Sequence, residues 1–145
     1  MSHPALGRTW PATTYAVGRE KIREYALAVG ESEPLYLDVG AARAAGFADV
    51  VAPPMFAVVY GAPAIGPALF DPEVGIDFAR MVHGGQQFEW QRLVVAGEEL
   101  TTVCSFASHE TKGAMTFFTF VTTTTDAAGE VVCEGRWTNI VRGTA

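Results

Sequence analysis

The first third of the chain shows helical spacing of its apolar residues. Within residues 19–29, apolar side chains recur at positions i, i+3, i+4 and i+7 of a predicted helix: Ile22, Tyr25, Ala26 and Val29. Gly30 follows directly and suits a helix C-terminus, because glycine adopts the left-handed conformation there without strain. A weak alternation over residues 13–17 predicts a short strand before this helix, and the alanine-rich residues 37–45 predict a second, short helix.

Residues 55–69 are apolar on nearly every face, and two prolines precede them. Pro53 and Pro54 break the preceding segment, and proline in a first helical turn favours a new helix beginning there. A helix without a polar face must be enclosed on all sides, so we predict that this helix is the centre of the fold. Pro63 and Pro67 are expected to kink it or to end it early.

The second half of the chain is rich in residues that favour strands. Four strand-like runs follow one another with short turns between them: residues 86–95, 100–108, 114–125 and 131–141. The second run alternates and places five residues on one side: Leu100, Thr102, Cys104, Phe106 and Ser108. Such closely spaced strands typically pair as an antiparallel meander. The sequence therefore predicts an α+β fold in which an antiparallel β-sheet wraps around one central apolar helix.

Composition and charge exclude several classes of function. The 145 residues suffice for one domain with a single core, spanning 1–145. The net charge of −6 argues against nucleic acid, because neutralising phosphates requires clustered lysine and arginine. No apolar run reaches the ~18 to 20 residues that span a bilayer, and residues 1–15 lack a signal-peptide pattern, so we expect a cytoplasmic protein without a membrane partner. Cys104 and Cys133 fit no metal-ligand spacing, and the sequence predicts no metal and no cofactor.

Two adjacent stretches are the most informative part of the chain: residues 31–38, E-S-E-P-L-Y-L-D, and residues 46–56, G-F-A-D-V-V-A-P-P-M-F. Their layout resembles the hydratase motif of MaoC-like enzymes, D-x-N-P-I-H-x-D followed by G-F-x-x-x-I-A-P-G-M. Seven positions of that motif are kept: Pro34, Asp38, Gly46, Phe47, Ala52, Pro53 and Met55. Glu31, Glu33 and Tyr36 stand where the family has Asp, Asn and His. The resemblance implies the hot-dog fold, without the Asp/His dyad that moves water across a 2-enoyl thioester.

Two further stretches resemble particular members of this family. Residues 17–26 are similar to the opening of the A-type and C-type subunits of mycobacterial (3R)-hydroxyacyl-carrier-protein dehydratases, which are fatty-acid-synthase-I-like dehydratases. Residues 87–100 are similar to a second pattern, approximately Q-x-F-x-x-x-R-P-x-x-A-G-D-x-L, with Leu93 and Glu98 in place of Pro and Asp. In such heterodimers a B-type subunit carries the dyad and the A-type subunit lends part of the acyl tunnel. The resemblance implies a dyad-bearing MaoC-like partner, or a second copy of this chain, and an acyl thioester of acyl carrier protein or coenzyme A.

Three residues are candidates for catalysis by this chain itself: Glu31, Tyr36 and His83. A carboxylate and a phenol can act as base and acid, but the ordinary phenol pKa of about 10 suits neither role near neutral pH. The extra methylene of Glu31 also displaces its carboxylate by roughly an ångström relative to aspartate. His83 lies beside Gly84 and Gly85, before the predicted strands, and histidine is the usual proton carrier near pH 7. A purely structural role is the alternative for each of the three.

Four apolar residues lie at one end of the predicted central helix: Met55, Phe56, Val59 and Tyr60. We predict that they bind the acyl substrate together with His83 and Gly84, because ligand pockets have apolar walls and few polar groups. The same four residues also suit a buried core, and the two roles are compatible.

Three functions remain open on the sequence. The first is a subunit of a heteromeric (3R)-hydroxyacyl-thioester dehydratase that shapes the acyl pocket while its partner supplies the dyad. The second is a self-sufficient homodimeric hydratase or thioesterase that uses Glu31, Tyr36 or His83. The third is a module that binds acyl thioesters without turning them over.

Overall fold

The computed structural model describes residues 2–143, and its main feature is one antiparallel five-stranded sheet. The strands are β1 Thr13–Ala16, β2 Met81–Trp90, β3 Glu99–Lys112, β4 Met115–Thr125 and β5 Val131–Arg142. Their order across the sheet is β1-β3-β4-β5-β2, so β1 and β2 are its two edges. Residues 7–10 extend the β1 edge through backbone hydrogen bonds to Cys104 and Phe106 of β3. Within the described part of the chain, no strand pairs with the outer side of β2.

Four helices lie between β1 and β2: α1 Arg19–Ala28, α2 Pro34–Leu37, α3 Val39–Ala44 and α4 Ala57–Leu69. A turn of 3-10 helix at Pro54–Phe56 leads into α4, and another at Phe78–Arg80 leads into β2. The short helix predicted over residues 37–45 is confirmed as α3, which begins two residues later, and α2 is a separate helical turn before it. Asp38 separates α2 from α3 because its backbone is extended and its side chain caps α3, accepting a hydrogen bond from the N–H of Ala41 at 2.7 Å.

The predicted meander is confirmed for β3, β4 and β5 but is wrong for β2. β2 pairs with β5 at the far edge, and residues 91–98 carry the chain across to β3. β2 ends at Trp90, before the predicted end at residue 95, because residues 94–96 pair with residues 50–52 instead of with the sheet.

α4 packs one face on the sheet and leaves the opposite face uncovered. Its inner residues are small or apolar and buried: Ala57, Tyr60, Gly61, Ala64, Ile65 and Ala68. On the opposite side, Ala62, Pro63 and Pro67 are exposed, so the prediction of enclosure on every face is wrong for a single chain. The prolines also do not end the helix, which continues to Leu69. Both lie on the exposed side, where water can serve the carbonyl groups that lose their donors.

Two apolar clusters fill the space between α4 and the sheet. One surrounds the start of the helix and includes Phe56, Tyr60, Leu100 and Val132. The other lies against its C-terminal half and includes Phe106, Phe118, Phe120 and Trp137. Small residues on the inner face of α4 let these aromatic rings pack close to the helix. None of the described helices is both long and apolar enough to cross a membrane.

Candidate functional site

Glu31 and Tyr36 lie in the segment between α1 and α3, which corresponds to the predicted dyad positions. Glu31 follows α1 directly; its backbone N–H donates to the carbonyl of Ala26 at 2.8 Å, and its side chain is exposed. Gly30 permits this turn, because its φ of +78° is strained for a residue with a side chain. Tyr36 lies in α2, half-buried, and packs against the cluster that contains Phe56. The fold thus holds the carboxylate in solvent and the phenol against the core.

The surroundings of Tyr36 make its phenol a weaker acid. Partial burial is the main cause that raises its pKa, and the carboxylates of Glu31 and Glu33 raise it further. The phenol therefore keeps its proton at neutral pH. It can donate a hydrogen bond, but it is less suited than a histidine to exchanging a proton near neutral pH.

An ion pair between Arg19 and Asp49 holds the two ends of this segment together. The Arg19 guanidinium donates to the Asp49 carboxylate at 2.9 Å from Nε and at 2.8 Å from Nη2. Asp49 also accepts a hydrogen bond from the backbone N–H of Val50 at 2.8 Å. These hydrogen bonds, that from Arg19 first, lower the pKa of Asp49 to about 2. The pair ties the start of α1 to the loop that follows α3.

The Arg19–Asp49 pair predicts a dependence of stability on acidity. Because the folded pKa of Asp49 lies below its ordinary value of 3.8, the stabilisation is complete above about pH 4 and is lost as the pH falls towards 2. We expect the melting temperature of Arg19→Gln to lie below that of the parent at pH 5 and to approach it near pH 2, as measured by circular dichroism. Asp71 and Asp126, whose pKa values are also lowered, are unchanged in both proteins. A difference that is constant with pH would contradict this role of the pair.

His83 and Gly84 lie within β2, and the predicted loop position before the strand is wrong. β2 begins at Met81, five residues earlier than predicted, and its pairing with β5 shifts register between His83 and Gly85. A Cβ atom at Gly84 would overlap with Cδ1 of Ile140, so a larger residue there would require that side chain to move. His83 itself is exposed.

The three catalytic candidates are not brought together within the described chain. His83 is paired with Asn139 of β5, whereas Tyr36 packs against the cluster that contains Cys133, near the opposite end of that strand. Six residues separate positions 133 and 139, which corresponds to about 20 Å along a strand. Glu31 lies on the side of Tyr36, since its charge raises the pKa of that phenol.

The four apolar candidates for acyl binding fall into two environments. Phe56 and Tyr60 are buried, with 0% and 3% exposure, and their ring centroids lie 6.3 Å apart. Burial strongly raises the pKa of the Tyr60 phenol, which therefore stays neutral. Met55 is exposed and Val59 is half-buried. Phe56 and Tyr60 thus belong to the core, and Met55 and Val59 reach the surface in front of it.

Three further polar residues at this site come from the structure alone. Trp90, at the end of β2, donates its indole N–H to the carbonyl of Pro54 at 2.8 Å, which ties β2 to the start of the central helix. Gln86 on β2 has a side-chain amide that is buried without a hydrogen-bond partner among the described residues. Asn139 is buried opposite His83. A polar residue at an inner strand position was the available signal for both Gln86 and Asn139. The bulge in β2 obscured it for Gln86, whereas Asn139 continues the regular alternation of β5.

Metal-ligating and thiol side chains elsewhere in the described residues are dispersed or buried. No group of three His, Cys, Asp or Glu side chains there is placed to hold a metal ion. Cys104 and Cys133 are free and buried, and burial raises the pKa of the Cys104 thiol to about 12. A cleft of about 200 Å³ on the solvent side of β2 and β5 has a polar lining, unlike the walls of an acyl site: Gln87, Glu89, Glu134, Gly135 and Arg136.

Sequence relatives span almost the whole of this chain. The family model of the FAS1-like, dehydratase domain region matches residues 5–135. A UPF0336 protein of Leifsonia xyli subsp. xyli is 48% identical over 143 residues, which cover 97% of this chain and 96% of the relative. A UPF0336 protein of Saccharopolyspora erythraea is 43% identical over 141 residues, covering 97% of this chain and 90% of the relative.

Solved structures confirm the hot-dog fold. A MaoC-like dehydratase matches with a TM-score of 0.86 and 31% identity, over 98% of this chain but only 43% of that chain. The C-terminally truncated HadBC (3R-hydroxyacyl-ACP dehydratase) complex of Mycobacterium tuberculosis matches with a TM-score of 0.82 and 25% identity, over 97% of this chain and 99% of that chain. The ChsH1-ChsH2 complex of the same organism shares the fold, with a TM-score of 0.73 and 21% identity over 94% of this chain and 90% of that chain.

Proposed function

This chain belongs to the FAS1-like dehydratase domain family, and we propose that it is the non-catalytic subunit of a heteromeric (3R)-hydroxyacyl-thioester dehydratase. The reaction removes water from a 3-hydroxyacyl thioester or, in reverse, adds water to a 2-enoyl thioester. The Asp/His dyad of a MaoC-like partner holds the water and moves the proton. This chain, as a single hot-dog domain over residues 1–145, shapes the acyl pocket and the interface between the subunits.

The observation that carries this proposal is the state of the side chains at the two dyad positions. The Tyr36 phenol keeps its proton, because burial and neighbouring carboxylates raise its pKa. The Glu31 carboxylate is exposed at the end of α1. General acid–base catalysis needs groups that exchange protons near the working pH and lie within hydrogen-bond reach of the same substrate atom. The Tyr36 phenol does not fit that description, and in this proposal the partner supplies the proton-transferring groups.

The acyl pocket of this proposal lies between α4 and the edge strand β2. Met55 and Val59 reach the surface beside the Trp90 end of β2, which is anchored to the start of the helix. His83 and Gly84 lie at the opposite end of the same strand. We expect β2 to pair in antiparallel with the corresponding edge strand of the partner. The His83 end of β2 then lies beside the end of the partner strand that corresponds to Trp90. A partner strand on β2 therefore supplies the second half of each pocket.

Two uncovered surfaces support such a partner. β2 has ten residues with no strand on its outer side among the described residues, and proteins usually cover or protect a free sheet edge. The exposed side of α4 is apolar where Ala62, Pro63 and Pro67 face outward. The HadBC structure is a complex of two different subunits. This chain matches less than half of the MaoC-like dehydratase, which leaves room there for a second unit of similar size.

The first test is the assembly state. We expect light scattering at micromolar concentration to give about twice the chain mass of 15.5 kDa for the purified chain, because the uncovered edge and helix face associate in the absence of the natural partner. Co-expression with a dyad-bearing MaoC-like protein should replace this species by a heterodimer that co-purifies on a tag on either chain. A monomer under both conditions would exclude the proposed interface.

A further inference from the structure

The N-terminal segment, residues 2–10, lies beside β3 and against the turn that follows α4. Its second half is held there by charged groups as well as by backbone hydrogen bonds to β3. Arg8 forms ion pairs with Asp71, at 2.8 Å, and with Glu73. The indole N–H of Trp10 donates to the same Asp71 carboxylate at 3.0 Å. These contacts tolerate mild acid, because the hydrogen bond from Arg8 holds the pKa of Asp71 below its ordinary value of 3.8.

The first half of the segment is anchored by the imidazole of His3. Its Nδ1 accepts the backbone N–H of Ala5 at 3.1 Å, and its Nε2 lies 3.1 Å from the carbonyl oxygen of Val74 in the turn after α4. Since Nδ1 accepts a hydrogen bond, it carries no proton, and Nε2 carries the proton that is donated to Val74. Only the neutral ring can make both hydrogen bonds. A second proton, on Nδ1, would place one donor against another.

The ring of His3 lies beside that of a second histidine, His109 of β3. Their centroids are 4.7 Å apart, and both residues are half-buried. The ring of Phe106 lies 5.1 Å from that of His3, and the ring of Phe118 lies 4.9 Å from that of His109, both edge-on. Burial lowers the pKa of His109, and the charge of His3 lowers it further. The two imidazoles are therefore packed in a contact that favours their neutral state.

The charged side chains near the two histidines already have partners. Ion pairs engage those of the turn after α4, of the segment that leads to β2 and of the adjacent part of β3: Arg8–Asp71, Arg8–Glu73, Asp77–Arg80 and Lys112–Glu110. β4, which supplies Phe118, has no ionisable side chain over Met115–Thr125. The only ionisable side chain of α4 is Tyr60, in the cluster at the start of that helix. Among the described residues, a positive charge on His3 or His109 would therefore lack a free carboxylate to compensate it.

We propose that His3 and His109 form an acid-sensitive latch whose protonation releases residues 2–6 from the sheet. A proton taken up from solvent occupies Nδ1 of His3, breaks the hydrogen bond with Ala5 and charges a ring that lies beside His109. Residues 7–10 stay in place, because their ion pairs and backbone hydrogen bonds involve no histidine. This role does not depend on the dehydratase reaction.

The direction of the pH dependence follows from the lowered pKa of His109. Because the folded pKa lies below the ordinary value of 6.5, the stabilisation of the docked segment is complete above about pH 6.5 and is lost as the pH falls. Release also uncovers the rings of Phe106 and Phe118, which are 1% and 5% exposed in the docked state. Acid therefore converts a closed end of the sheet into an apolar, aromatic surface.

NMR spectroscopy of the isotope-labelled full chain tests the latch between pH 7.5 and 5.0. The chain has three histidines, and His83, exposed on β2, is the reference in the same sample. As the rings of His3 and His109 titrate, we expect the amide signal of Ala5 to move to the position of an unstructured peptide. The ratio of released to docked segment should rise about tenfold or more over this range. The indole signal of Trp10 should stay at its position.

Two variants separate the charge of the pair from its packing. His109→Phe keeps an aromatic ring but removes the second charge, so the midpoint of release should fall by about half a pH unit or more. That shift corresponds to the repulsion between two charges about 5 Å apart in water. The double variant with His3→Gln and His109→Phe has no ionisable ring at either position. Its residues 2–6 should be in the same state at pH 7.5 and at pH 5.0.

Three results would overturn the latch. The first is a parent protein in which His3 and His109 gain protons while the signal of Ala5 stays at its docked position. The second is a double variant whose release has the pH dependence of the parent. The third is loss of the Trp10 contact with Asp71 at the same pH, because acid would then act on the whole segment and not through the two histidines. None of these results bears on the proposed dehydratase function.

Discussion

Replacing Phe56 with alanine should lower the free energy of unfolding by about 3 to 5 kcal/mol. Phe56 is fully buried at the start of the central helix. Its ring centroid lies 6.2 Å from that of Tyr15, 5.5 Å from that of Tyr25 and 6.3 Å from that of Tyr60. These contacts come from β1, α1 and α4, so no single movement can close the cavity that the ring leaves.

Met55 provides the matched control for this substitution. It is the neighbouring residue in the same helical turn, but it is 45% exposed, so Met55→Ala should change the free energy of unfolding by only about 0.5 kcal/mol. Urea denaturation followed by circular dichroism measures both variants. Equal small losses would mean that the turn at Pro54–Phe56 is peripheral, and the core behind the proposed acyl pocket would be absent.

Hydration of a 2-enoyl thioester should depend on the dyad of the partner and not on Glu31 or Tyr36. In the reconstituted complex, replacing the histidine or aspartate of the partner's dyad should slow turnover by roughly two to four orders of magnitude, the usual contribution of general acid–base catalysis. Glu31→Gln and Tyr36→Phe in this chain should leave turnover within about threefold of the parent complex, because neither group exchanges a proton in the reaction. Steady-state kinetics with a crotonyl thioester measures all four variants.

His83→Asn separates binding from catalysis in the same assay. His83 is exposed at the edge strand and borders the proposed pocket, so its replacement should raise KM and leave kcat nearly unchanged. If Glu31→Gln, Tyr36→Phe or His83→Asn slowed turnover by about two orders of magnitude or more in a folded complex, the chemistry would belong to this chain.

Local patterns were sufficient to predict the helices and strands whose buried residues recur at one regular spacing. α1 follows from the helical spacing of Ile22, Tyr25 and Ala26, and the structure ends it at Ala28, one residue before the predicted end. In β3 the predicted alternation is confirmed from Leu100 to Phe106, which are both buried. It is wrong for Ser108, because the pairing with β4 shifts register between Phe106 and Ser108. The central helix was also predictable from its long apolar segment, although only one of its faces packs on the sheet.

Features that depend on distant parts of the chain could not be predicted from local patterns. The pairing of β2 with β5 is a matter of topology, and the bulge at His83 breaks the alternation by which a strand is recognised. The uncovered side of α4 has the same apolar composition as its covered side, so the sequence alone does not distinguish core from interface. Trp137 was predicted only as part of a strand; its position depends on Gly61, which lies 76 residues earlier on α4.

The resemblance was sufficient to identify the substitutions at the dyad positions. Their effect on the chemistry could be derived only from the fold. Tyr36 could have been a solvated phenol or a buried one, and α2 decides this by holding it against the core beside Glu31 and Glu33. Burial and the two carboxylates then change its pKa in the same direction. The sequence therefore indicated that the usual dyad is absent, and the structure adds that the phenol at the histidine position is a weaker acid than a free tyrosine.

The most direct test of the central claim is the rate at which the purified chain hydrates a crotonyl thioester, measured alone and after addition of a dyad-bearing MaoC-like subunit. Loss of absorbance of the enoyl thioester reports the reaction. We expect no hydration above the uncatalysed rate for the chain alone, and rapid hydration by the complex. Turnover by the isolated chain that Glu31→Gln or Tyr36→Phe abolishes would contradict the account, because this chain would then carry its own catalytic pair.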